Sequence, residues 1–162
     1  MGDSRYPIRH NIWIPSNIRI PRLEYQDELA RRFVKFGYEV EVGERRGPDI
    51  VVEEPSTGEP VLVVGAKAYR LRSRRGLSDK FDLEVERARR AEVPLIAAVK
   101  NKLSELEMFR IYEPEDLKDF TYSAPSWLVG EEATDEARKK EKECRRALRG
   151  LLLGKQKGKT AV

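Results

Sequence analysis

Read from its first hydrophobic periodicity onward, the chain alternates between helical and strand-like spacing. Leu23, Ala30, Phe33 and Val34 recur at helical intervals and predict a helix from Glu24 to Phe36, ended by Gly37. Tyr38 to Val42 alternates apolar with charged residues, as a half-exposed strand does. After a turn over Gly43 to Gly47, Ile50 to Val52 forms a short β-branched run directly behind Pro48-Asp49. Pro55, Ser56, Thr57 and Gly58 are turn formers, and Val61 to Val64 is too continuous for a solvent-facing strand. Residues 47 to 70 therefore read as two strands joined by a turn. A polar helix follows from Asp79 to Ala91, with Ser78 as its expected N-cap, Phe81, Val85 and Ala88 along one side, and Leu83 off it. Pro94 to Val99 predicts a buried strand, Glu107 to Tyr112 another, and Pro114 starts a short helical turn through Phe120.

The flanks differ from this core. Residues 1–22 carry Pro7, Pro15 and Pro21 among scattered isoleucines and Trp13, which predicts an extended arm, with at most one short strand, strapped over the core. Pro125 to Gly130 reads as a hinge anchored by Trp127. Thr134 can cap a last helix whose narrow stripe, Ala137, Cys144, Ala147, Leu148, Leu151 and Leu152, suits packing or an oligomer seam. Residues 155–162 are basic and glycine-containing, and disorder is expected there. The division is thus an arm at 1–22, an α/β domain at 23–124, a hinge and helix at 125–154, and a tail at 155–162. The expected fold is α/β, a central mixed sheet flanked by helices with a C-terminal helical extension.

Composition narrows the chemistry. Forty per cent of the 162 residues are apolar, enough for one cored domain. No apolar run is long enough to span a membrane and no signal-peptide pattern is present, so a soluble, cytoplasmic chain is expected. A single cysteine, Cys144, excludes an internal disulfide and a Cys-based metal cluster, and a single histidine, His10, excludes a two-His metal site. Charged residues reach 37%, while Asn and Gln together number five, a balance that suits a thermophile. The net charge of +4 lies entirely in residues 131–162, which hold ten Lys/Arg against six Asp/Glu, while the first 130 residues hold 22 of each. That excess is compatible with a nucleic-acid partner without requiring one.

The candidate chemistry lies in the hairpin. Asp49 heads one strand and Lys67 stands near the end of its partner, where a carboxylate and an amine can hold a divalent cation and poise a water. An aspartate after proline is also a common turn residue, and a strand-end lysine often reaches for solvent. Small neighbours, Gly65, Ala66 and Ala68, leave room around Lys67.

On the order helix, strand, strand, strand, helix, strand, strand, Pro48-Asp49 and Lys67 resemble the signature of the PD-(D/E)xK nuclease-like superfamily, which includes restriction endonucleases, archaeal Holliday junction resolvases and repair nucleases. The resemblance covers roughly Leu23 to Phe120. It extends to the helix exit Phe36-Gly37-Tyr38-Glu39-Val40, and to the closing strands Pro94 to Val99 and Phe109 to Tyr112. It implies a restriction-endonuclease-like fold and Mg²⁺- or Mn²⁺-dependent cleavage of DNA in repair or recombination, with Asp49 on the metal and Lys67 on the attacking water. It also implies a second acid two residues before the lysine, where this chain has Gly65. A cation held by one carboxylate binds weakly, because hard cations depend on the number and charge of their oxygen ligands. Three readings follow: an acid supplied from elsewhere, by Glu24, Asp27 or Glu28 of the first helix or by Glu84 or Glu86 of the second; a weakened or inactive site on a fold kept as a non-catalytic DNA- or protein-binding subunit, which needs no metal; or a generic α/β domain. The inactive site stands slightly ahead of the rescued one. Glu24, Asp27 and Glu28 also sit at ion-pair spacing from Arg31. Arg70, Arg72, Arg74 and Arg75 follow the lysine strand and suit phosphate contacts beside the site as well as they suit a solvated loop. Family members often work as dimers, a purpose the C-terminal stripe would serve, through a second copy or another protein.

Overall fold

The computed structural model describes residues 8–10, 21–43 and 48–160. A short strand β1 (Ile8–His10) precedes helix α1 (Pro21–Lys35), and three strands follow: β2 (Glu39–Val42), β3 (Ile50–Glu53) and β4 (Pro60–Tyr69). A 3₁₀ turn at Ser78–Phe81 leads into α2 (Asp82–Ala91), then β5 (Leu95–Asn101) and β6 (Glu107–Tyr112). Two further 3₁₀ turns, Pro114–Asp119 and Ser126–Leu128, lead to the long helix α3 (Asp135–Thr160). The strands form one sheet in chain order β1 to β6. The pairs β1–β2 and β4–β5 are parallel and the others antiparallel. Each parallel pair is separated in the chain by a helix, α1 or α2, because a parallel neighbour cannot be reached by a tight turn. The α/β class and mixed sheet are those the pattern predicts.

Both faces of the sheet are covered, and alternation along β4 sorts the residues between them. Leu62, Val64, Ala66 and Ala68 point to one face, where Leu29, Ala30 and Phe33 of α1 and Leu148, Leu151 and Leu152 of α3 pack. Val63 and Tyr69 point to the other, against Phe81 and Ala88 of the α2 region and Leu117, Tyr122 and Leu128. This two-sided burial explains why Val61 to Val64 is a continuous apolar run.

Several local expectations change. Helix α1 begins at Pro21, three residues early, as proline at a helix start allows. Strand β4 runs on from the apolar block to Tyr69. Ser78 does not cap α2. Its hydroxyl instead accepts from the Tyr122 N–H at 2.8 Å and ties the α2 entry to the far loop. Residues 125–130 are pinned rather than hinged: Leu128 is fully buried, Gly130 N–H donates to Leu71 O at 2.7 Å, and the buried Asn101 amide donates to Leu128 O at 2.8 Å. Trp127 is only half-buried. Helix α3 is capped as expected, with Ala137 N–H donating to Thr134 Oγ1 at 3.1 Å. It continues to Thr160 through the stretch expected to be disordered. Its stripe is consumed inside the chain: Cys144, Leu148, Leu151 and Leu152 pack on the sheet's own core, so the stripe itself is not a free dimer seam. Trp13 and the rest of the arm outside Ile8–His10 and the start of α1, together with residues 44–47 of the expected turn, lie outside the described residues.

One buried carboxylate holds this helical face together. Glu107 of β6 accepts from Tyr25 Oη at 2.7 Å, from Arg32 at 2.5 Å and from Arg145 at 2.9 Å. Its own N–H donates to Glu141 at 2.8 Å. Residues from α1, β6 and α3 thus meet at one acid. Burial pushes the Glu107 carboxyl up, but the Tyr25 hydroxyl and the two guanidinium groups outweigh it and hold the group below its ordinary value. Burial and the Glu107 charge together raise the Tyr25 phenol.

Candidate functional site

Ile50 pairs with Val64 and Val51 with Val63, so Asp49, one residue earlier, arrives beside Gly65 on the face that Lys67 shares. The two side chains meet: Lys67 Nζ lies 2.8 Å from Asp49 Oδ2. That oxygen also accepts the Ala66 N–H at 2.8 Å, and Asp49 Oδ1 accepts Gln26 Nε2 at 2.6 Å. A second acid completes the cluster. Glu84 of α2, 1% exposed, accepts the Asp49 N–H on Oε2 at 2.8 Å and places Oε1 3.2 Å from Lys67 Nζ.

Gly65 explains how Glu84 gets there. A Cβ at position 65 would stand 2.4 Å from Phe81 Cδ1 and 3.3 Å from Glu84 Cγ. The space a side chain would fill is occupied by the Phe81 ring and the Glu84 stem. A side chain at 65 would run into the Phe81 ring and press on the Glu84 stem, so this packing calls for the glycine. Of the acids the sequence offered in place of one at Gly65, Glu84 is the one that lies beside Asp49 and Lys67.

The electrostatics follow from two acids sharing one ammonium in a dry place. Burial and the Asp49 charge raise Glu84 to about 7, and Lys67 offsets only part of this. Burial alone would lower Lys67, but Asp49 and Glu84 outweigh it and the ammonium is held above its ordinary value. Lys67 also lies 5.5 Å from the centroid of the Phe81 ring, within cation–π reach. Two buried oxygens at the cluster are short of partners: Gln26 Oε1 accepts no hydrogen bond, and Glu84 Oε1 meets only the Lys67 ammonium, at 3.2 Å. Among the described residues no group of three or more His, Cys, Asp and Glu side chains converges for a metal. The carboxylates that could hold a cation here are Asp49 and Glu84, hard oxygen donors of the kind that suit Mg²⁺ or Mn²⁺.

The other expected residues fall as follows. Among the acids of α1, Glu28 turns to Arg32 at 2.7 Å and to Lys100 at 3.8 Å, Glu24 is exposed and Asp27 half-buried. The α1 side chain bonded to Asp49 is Gln26, which a search confined to acids overlooks although it is their immediate neighbour. Glu86 is exposed beside Arg90. Arg70, Arg72, Arg74 and Arg75 are all exposed on the loop that leaves β4. Arg72 faces Glu131 at 3.4 Å, Arg74 donates to Ala124 O at 3.1 Å, and Arg75 lies over the Tyr69 ring. A cavity of about 410 Å³ lies between α1 and α3, lined by Phe33, Phe109 and Leu148 among others, and contains no member of the Asp49 cluster.

Compared with known proteins, the chain matches no family model and no curated protein. No helix among the described residues is long and apolar enough to cross a membrane.

Proposed function

We propose that this chain is a divalent-metal-dependent phosphodiesterase acting on nucleic acid, a nuclease of PD-(D/E)xK type in which Glu84 stands for the acid absent at Gly65. The observation that carries the reading is the convergence of Asp49, Lys67 and Glu84 beside Gly65, where a Cβ would run into the Phe81 ring. A structural ion pair needs one acid and one base. Here a second acid is buried beside the first at an electrostatic cost visible in its raised pKa, which is the pattern of a site kept for chemistry.

The residues divide the work. Asp49 and Glu84 are the anionic ligands, and Gln26 fixes Asp49 through Nε2. A bound Mg²⁺ or Mn²⁺ would supply positive charge against the phosphate oxygens and make nearby water more acidic. Lys67 bridges the two acids in the free protein. With a cation sharing that charge, its ammonium would orient the attacking water and steady the phosphate. Arg70 and Arg72, exposed beyond the end of β4, would hold the flanking phosphates.

The second reading, a non-catalytic DNA- or protein-binding subunit, is favoured by one observation: Lys67 already lies within ion-pair distance of both carboxylates. One experiment separates them. Branched, single-stranded and duplex DNA are incubated with Mg²⁺ or Mn²⁺ and the parent, Asp49→Ala or Glu84→Gln. Cleavage by the parent that both variants lack supports the nuclease. Equal cleavage in all three, or none in the parent, leaves the binding subunit.

A further inference from the structure

Beyond Lys67, β4 ends at Tyr69, two residues on and therefore on the same sheet face about 7 Å further along. The Tyr69 ring is half-buried, and the Arg75 guanidinium lies 4.9 Å from its centroid. Arg75 is itself exposed and makes no ion pair among the described residues.

The loop carrying Arg75 is rigidly held at both ends. Leu71 is buried, and its N–H and carbonyl both bond the Asn101 side chain, at 3.1 and 3.2 Å. At the other end Leu77 N–H donates to Tyr122 O at 2.9 Å, Ala124 N–H donates to Arg75 O at 3.3 Å, and Gly76 bridges Ser123. With its backbone fixed in this way the loop does not need an exposed ring–guanidinium contact for its shape. The contact instead presents a flat, cationic, pre-positioned surface beside the Asp49–Lys67–Glu84 cluster.

We propose that Tyr69 and Arg75 form a stacking platform for an unpaired nucleobase, so that the site takes single-stranded or splayed nucleic acid in preference to continuous duplex. The proposal rests on the nucleic-acid reading of the site above and names its substrate class. Aromatic rings and guanidinium planes hold bases by their faces, irrespective of sequence. Inside a duplex those faces are covered by neighbouring base pairs, and only phosphates remain for the arginines. A platform already ordered in the free protein keeps the entropic cost of capture low.

The test reads binding without cleavage. Fluorescence anisotropy in EDTA compares a labelled single strand of about 12 nucleotides with the duplex of the same sequence. The parent should bind the strand more tightly. Tyr69→Leu, which keeps apolar bulk for the core, should weaken strand binding about 10-fold and leave duplex binding nearly unchanged, while Tyr69→Phe should bind as the parent does. Arg75→Ala should weaken the strand comparably. A 2-aminopurine base in the strand should be quenched by the parent and Tyr69→Phe but not by Tyr69→Leu. The platform is overturned if Tyr69→Leu and Tyr69→Phe bind the strand alike, if strand and duplex lose equally, or if the parent binds neither. Cleavage enters none of these readouts, so an inactive parent with strand-selective binding would sink the nuclease and spare the platform.

Discussion

Glu84 and Glu107 are both glutamates, both almost wholly buried, and both bonded to a backbone N–H or to cationic neighbours. Their surroundings drive them in opposite directions. Glu107 receives a phenol and two guanidinium groups, and its proton is held less tightly than in water. Glu84 must share one ammonium with Asp49, and its proton is held more tightly, to about 7. Burial penalises both charges, so the number of partners decides the sign. The well-supplied acid ties α1, β6 and α3 together. The under-supplied acid has a single cationic neighbour, the Lys67 ammonium at 3.2 Å, and shares it with Asp49.

Removing the well-supplied acid should have the largest effect. Glu107→Ala leaves the buried Tyr25 hydroxyl without its acceptor and takes one of two acids from Arg32, which keeps Glu28, and from Arg145, which keeps Glu141. It should cost about 3 kcal/mol, the upper part of the range for orphaning a buried polar group. Urea denaturation measures it, and a loss below 1 kcal/mol would place Glu107 with ordinary surface pairs. Glu84→Gln should do the reverse. Metal-dependent cleavage should fall about 100-fold, the scale of removing one preorganised group, and Mn²⁺ binding followed by electron paramagnetic resonance should be lost. Urea stability should change little, because the amide relieves a desolvated charge.

A smaller effect tests why the acid comes from α2. Gly65→Ala drives a methyl into Phe81 and should destabilise by about 2 kcal/mol. Adding Phe81→Leu should recover part of that loss, and strict additivity of the two changes would mean they do not share the space.

The smallest effect is the pH dependence. Glu84 binds its proton more tightly folded than unfolded, so its contribution is fully present below its ordinary 4.5 and is lost as pH rises through about 7. Glu107 binds its proton less tightly folded, so its contribution is present above 4.5 and is lost as pH falls through its lowered value. Stability measured against pH should therefore decline on both sides. Glu84→Gln should flatten the rise-side loss and Glu107→Gln the acid-side loss, and a profile unchanged by either would break the contrast.

Much of the architecture was legible in the residues. The strand at Glu107 to Tyr112, the glycine that ends α1 and the Thr134 cap depend on local patterns of apolar spacing and capping chemistry. The α3 stripe was visible, but its choice between the chain's own sheet and a partner was not, because an apolar stripe records that it must be covered and not by what. Ser78 looked like a cap because its position before an acidic turn is right, yet its hydroxyl bonds Tyr122, 44 residues away.

At the site the same division holds. Asp49 and Lys67 were brought to one face by strand alternation and hairpin register, quantities of period two that a sequence carries openly. Gly65 was read as a loss. Only the packed molecule turns it into an accommodation, since the ring and the glutamate stem that fill its space come from residues 81 and 84, across a loop. Gln26 reaches Asp49 from a helix whose rotation on the sheet is set by packing and not by any local motif. Short-range periodicity thus determined which elements form and which way their faces turn. Which charges share a buried space was decided by tertiary contact, because the desolvation and Coulomb energies that shift Glu84 and Glu107 depend on distances between elements far apart in the chain.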